Sequence, residues 1–120
     1  MKITATCHCG AIEIQAQLTS DLASAARCDC SFCRRRQAAN VSARWADLRV
    51  LKGQDEIRCY SFGTHTAQHY FCSVCGIYTH HRRRSDPTQV GINLYCIEGV
   101  LPADYEPLAW VDGINHPTDQ

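Results

Sequence analysis

Seven of the nine cysteines of this chain fall into three tight sets: Cys7 and Cys9; Cys28, Cys30 and Cys33; Cys72 and Cys75. Thiols this close in sequence bond to one another poorly but share a metal ion well. Disulfides suit secreted chains and an even count, and neither applies here. In Cys72-Ser73-Val74-Cys75-Gly76 a two-residue spacer lets a tight turn aim both sulfurs at one point. Gly76 can take the positive φ that turns backbone N–H groups toward the sulfurs. Cys7-His8-Cys9-Gly10 is a tighter version, because residues i and i+2 of an extended segment point the same way. Together these pairs predict a closed four-cysteine zinc site, which structural zinc prefers. The alternative is two unrelated turns with buried thiols.

Cys28, Cys30 and Cys33 remain. Three sulfurs from one loop predict a second zinc with an open fourth position, the arrangement of catalytic and ligand-binding zinc, held less tightly than the first. Cys59 and Cys96 could fill that position, but both lie in apolar runs, "EIRCYSF" and "INLYCIEGV", and are expected in the core. His65, His69, His80, His81 or His116 could also close the site. Arg34, Arg35 and Arg36 follow the trio directly. They could offset its negative charge or hold the carboxylates of an anionic substrate. "HHRRR", His80 to Arg84, is a second basic run that could face the same region. A solvated charged face is the plain alternative for both runs.

The elements that must position these groups read as short strands. "KITATC" and "AIEIQAQL" alternate apolar and polar residues with the period of a half-buried strand, and "CHCG" is the turn between them. "SDLASAAR" suits a loop or a helix. "CSFCRRRQAA" predicts a short helix with Asp29 or Ser31 near its N-cap. "VSARW" and "RVLKG" flank a turn at Ala46-Asp47, and "EIRCYSFG" and "AQHYFC" form a hairpin about Gly63-Thr64. "GIYTHHR", "TQVGINLYCI" and "PLAWV" supply further strands, the last before the turn "DGINHP". A mainly β fold with little helix follows.

The 120 residues suit a single domain, residues 1–120. Lys plus Arg equals Asp plus Glu at 12 each, which argues against a protein built to coat nucleic acid or an anionic membrane. No apolar run is long enough to span a bilayer, and Met1 to Cys9 holds no signal-peptide core. The expected compartment is the cytoplasm, and the expected assembly a monomer or homodimer.

"CHCG", "CDCSFCRR", "FCSVCG" and "INLYCIEGV" in this order resemble the glutathione-dependent formaldehyde-activating enzyme family, which includes centromere protein V. The resemblance spans Cys7 to about Pro117. It implies a small zinc-stabilised domain of several coiled antiparallel sheets. It also implies a structural zinc on Cys7, Cys9, Cys72 and Cys75, and a second on Cys28, Cys30 and Cys33 that takes the substrate thiol. The implied reaction joins formaldehyde to glutathione, giving S-hydroxymethylglutathione, and is classed as a carbon–sulfur lyase activity. Two other functions fit the same residues. One is a carrier or sensor that binds glutathione or another small thiol without turnover. The other is a zinc module that binds nucleic acid or protein through the basic runs. His8, Asp29 and Ser31 lie near the thiols, and nothing singles one out as a general base.

Overall fold

The computed structural model describes residues 1–115. Strands β1 (Lys2–Thr6) and β2 (Glu13–Gln17) form an antiparallel hairpin, and β3 (Ala26–Cys28) leads into helix α1 (Cys33–Arg36). Strands β4 (Asn40–Arg44), β5 (Arg49–Lys52), β6 (Ile57–Tyr60), β7 (Gln68–Cys72), β8 (Tyr78–Arg82), β9 (Gln89–Asn93) and β10 (Ala109–Val111) follow. They form a three-stranded sheet, β1-β2-β5, and a seven-stranded sheet, β10-β3-β4-β9-β8-β7-β6. The pairings are antiparallel except β10 on β3. The expected mainly β fold of antiparallel sheets is what forms, and no helix of the described residues is long and apolar enough to cross a membrane.

Alternation explains the packing. Ile3, Ala5, Ile14 and Ala16 turn the inner face of the small sheet toward Val41, Ala43, Val90 and Ile92 of the large one. All are buried, and Ile12, Ile14, Val90 and Ile92 are at or near zero exposure. A bridge between Leu18 and Ala43 joins the two sheets. This core fixes β4, β9 and β8 as the central strands, and their opposite face carries the polar residues of the cleft described below.

Several local expectations need correction. Neither Asp29 nor Ser31 caps α1; the cap position is Phe32, with no side-chain hydrogen bond. Asp29 is instead drawn to the N–H groups of Gly113 and Ile114, at 2.7 and 3.1 Å. The helix stops after one turn because Gln37 adopts a left-handed φ of 55°. "SDLASAAR" becomes a 3-10 turn, Leu22–Ser24, capped by the Asp21 carboxylate, followed by β3. The strand in "TQVGINLYCI" ends at Asn93, whose side-chain oxygen takes the Tyr95 N–H and starts another 3-10 turn. Cys59 is exposed, because β6 is an edge strand paired only with β7. Cys96 is half-buried against the core, and burial pushes its thiol up to about 11. His116 and Pro117, and so the end of the "DGINHP" turn, lie outside the described residues.

Candidate functional site

The first cluster forms where the β1–β2 turn meets the β7–β8 turn. The sulfurs of Cys7, Cys9, Cys72 and Cys75 all lie within 4.8 Å of one another. Cys7 to Cys9 and Cys9 to Cys72 are each 3.7 Å apart. A tetrahedron of sulfurs about 2.3 Å from a central zinc has edges of about 3.8 Å, so the set fits that ion. Disulfide bonding would need sulfurs about 2.05 Å apart, and all nine cysteines are free. Backbone N–H groups point at the sulfurs: Ile12 at Cys7 (3.3 Å), Val74 and Cys75 at Cys72 (3.3 and 3.5 Å). The turns that aim them need Gly10 and Gly76, whose φ values are 80° and 78°. His8 is exposed and does not line the cleft described below.

The second cluster closes from one loop. Cys28 ends β3, Cys33 begins α1, and Cys30 sits on the bend between them, with all three sulfurs within 4.8 Å. The Cys33 N–H donates to the Cys30 sulfur at 3.2 Å. The hydrogen bond with the Cys33 thiol holds Cys28 down, at about 6, and Cys33 is correspondingly pushed well up. Three thiolates together require a cation among them, which is the donor chemistry of a metal site.

The trio opens into a cleft of about 500 Å³. One wall is the far C-terminal segment. The Asp29 N–H donates to the Val111 carbonyl (3.2 Å), its carboxylate holds the Gly113 and Ile114 N–H groups, and Gly113 lies against the thiols. A Cβ on Gly113 would be 2.3 Å from the Cys28 sulfur and 2.7 Å from Cys30 Cβ. The Arg27 guanidinium ties the same segment to β3 through a two-point ion pair with Glu106, at 2.6 and 3.1 Å. That pairing holds the Glu106 carboxyl down at about 2.

The floor is a row of cross-strand neighbours, His69 on β7, His81 on β8, Gly91 on β9 and Ser42 on β4. Gly91 has no side chain because the His81 ring occupies that space; a Cβ there would be 2.4 Å from the ring. His81 Nδ1 is 2.6 Å from the Tyr78 hydroxyl, which also reaches Asn40 Oδ1 at 2.5 Å. Burial, then the Arg36 charge, hold both His69 and His81 below their ordinary range, His69 at about 3. His80 faces the opposite way, under Tyr70 and Trp45, and His65 is exposed and hydrogen-bonded to Ser61.

The arginines divide. Arg34 and Arg35 are exposed on the outside of α1 and do not line the cleft. Arg36 turns inward, its guanidinium 3.7 Å from the centre of the Tyr78 ring, 3.7 Å from the Cys33 sulfur and 3.0 Å from His69 Nδ1. It offsets charge at the thiols. From the "HHRRR" run, His81, Arg83 and Arg84 do border the cleft, and Arg83 donates to the Ser42 hydroxyl at 2.8 Å. Gly113, Gly91, Tyr78 and Asn40 carry no local sequence signal of a site; only strand register brings them here.

Fold and site together define a small β protein with two thiol clusters, one closed between hairpins and one facing a polar cleft. A family model for glutathione-dependent formaldehyde-activating enzyme matches residues 2–111, and the chain belongs to that family. A crystal structure of a Rhodobacter sphaeroides protein is similar to it at 53% identity and a TM-score of 0.87, covering 92% of this chain and 100% of the other.

Proposed function

We propose that this chain catalyses the joining of a small thiol, such as glutathione, to a small aldehyde, such as formaldehyde, as a carbon–sulfur lyase of the S-hydroxymethylglutathione synthase type. The observation that carries this is the three-sulfur cluster opening onto a cleft rather than being sealed by a fourth cysteine. Family membership supports the substrate pair. Cys7, Cys9, Cys72 and Cys75 would hold a structural zinc, and Cys28, Cys30 and Cys33 a second. With three protein sulfurs, a zinc ion offers a position for the substrate thiol and lowers that thiol's pKa.

The chain's own residues do the rest. Gly113 lets the C-terminal segment pack its backbone directly on Cys28 and Cys30 and so wall the cleft. Arg36 lies against Cys33 and lowers the energy of negative charge on sulfur. Arg83, at the cleft margin, offers a carboxylate anchor for a peptide-like thiol. Arg34 and Arg35, outside the cleft lining, would act on such a ligand only through longer-range charge. Holding thiol and aldehyde in one walled cleft converts an encounter into a positioned reaction.

Exchange NMR on glutathione, formaldehyde and the zinc-loaded protein tests this. The expected result is interconversion of free and adduct signals faster than in protein-free buffer. A rate equal to buffer, with glutathione still protecting the protein thermally, would establish a thiol carrier instead.

A further inference from the structure

His69 has a hydrogen-bonding state fixed by its neighbours. Its Nδ1 is 3.0 Å from the Arg36 Nη1. A guanidinium has donors only and keeps its charge in proteins, so Nδ1 must be the lone pair and the ring proton resides on Nε2. Adding a second proton would set an N–H against an N–H and a cation beside a cation. Packing resists it too: the ring lies against Phe32 (4.5 Å between centroids), Phe62 (5.8 Å) and His81 (5.3 Å), and is 6% exposed. The charged neighbour on α1 is Arg36 and the titratable neighbour on β8 is His81; both oppose an imidazolium here.

This leaves Nε2–H. It has no acceptor among the described residues, yet its ring borders the cleft that the three thiols open into. A ring N–H that borders the site and has no protein partner among the described residues is free to serve a ligand there. A permanently neutral imidazole N–H suits an oxygen that gains negative charge during reaction.

We infer that His69 is the catalytic hydrogen-bond donor to the aldehyde oxygen, with Arg36 the positioning residue that holds its tautomer; this rests on the thiol–aldehyde reaction proposed above. In that reaction the sulfur's electron pair forms the S–C bond. The C=O π pair moves onto oxygen, where the Nε2–H bond stabilises it. The proton released by the thiol returns through cleft water to that oxygen, completing the hydroxymethyl group. Nothing is oxidised or reduced.

The experiment compares the wild type, His69→Phe and His69→Gln, each zinc-loaded, by exchange NMR with glutathione and formaldehyde. Losing one such donor costs about 10²–10³ in rate. His69→Phe should therefore lose about 10²–10³ in kcat/KM with little change in the KM for glutathione, while His69→Gln, which restores a side-chain N–H, should recover to within about tenfold of wild type. Long-range proton–nitrogen spectra of the wild type give an activity-free readout that needs no variant. They should show His69 as the Nε2–H tautomer, unchanged between about pH 8 and 5. Wild-type acceleration that His69→Phe fully retains overturns the donor role alone, as does an Nδ1–H tautomer. A wild type with no acceleration overturns the thiol–aldehyde reaction and this role with it, even where the tautomer is as expected.

Discussion

Gly113→Ala is the sharpest perturbation of the cleft. The backbone itself tolerates alanine, because Gly113 does not have a positive φ. Contact is what forbids it. The new methyl would lie 2.3 Å from the Cys28 sulfur, 2.7 Å from Cys30 Cβ and 3.0 Å from the Cys30 backbone nitrogen. Ordinary contacts are about 3.5–4.0 Å, so the segment must retreat by at least about 1.2 Å. The bond from Gly113 N–H to Asp29 is 2.7 Å long, and that retreat takes it past hydrogen-bond range. Ile114 N–H, already at 3.1 Å, goes with it. Bonds to a charged acceptor contribute about 1.5–3 kcal/mol each when buried, and these are partly solvated, so a loss of about 2 kcal/mol is expected. For a domain of this size that lowers Tm by roughly 8 °C. Native mass spectrometry should also find the second metal depleted while the first is kept, because the residues Gly113 packs against are Cys28 and Cys30 and none of the four-cysteine cluster. Scanning fluorimetry supplies the Tm. A variant with wild-type Tm and full metal content would refute the close packing of Gly113 on the thiols.

Two further outcomes follow from the same geometry. Native mass spectrometry of the wild type should count two zinc ions per chain; Cys30→Ser should keep its fold with one, whereas Cys72→Ser should lose cooperative unfolding. A single ion in the wild type would undo the two-cluster assignment. His80 is buried neutral, and burial holds it at about 4 against an ordinary value of 6.5. Its folded pKa lies below the unfolded one, so the stability it contributes is complete above about pH 6.5 and is lost as pH falls through about 4. Between about pH 6.5 and 5 the wild type should lose about 1.5 kcal/mol more than His80→Phe in urea unfolding, the slope approaching about 1.4 kcal/mol per unit below about pH 6. Parallel pH curves for the two proteins would show that His80 titrates normally.

The clusters were legible in the sequence because their geometry is local. Residues i and i+2, or i and i+3 round a glycine turn, converge wherever the chain goes, and alternation in "KITATC" and "AIEIQAQL" announced the hairpin that carries one pair. The cleft was not legible. Its wall depends on β10 lying parallel to β3, a pairing between residues 26–28 and 109–111 that no local pattern encodes. The row His69, His81, Gly91, Ser42 depends on the register of four strands, and a one-residue slip would replace every member. Cys59 misled for a related reason: its apolar neighbours suggest core, but its strand lies at a sheet edge. Asp29 misled because a carboxylate a few residues before a helix resembles a cap, while two N–H groups more than eighty residues away bind it better.

The clamp between Asp29 and residues 113–114 also joins parts of the chain that are synthesised far apart in time. Both knuckles of the four-thiol cluster are complete in the sequence by Cys75. The three-thiol loop is made earlier, by Cys33, but its wall arrives about eighty residues later. During that interval the three-thiol loop lacks the wall that Gly113 packs against it.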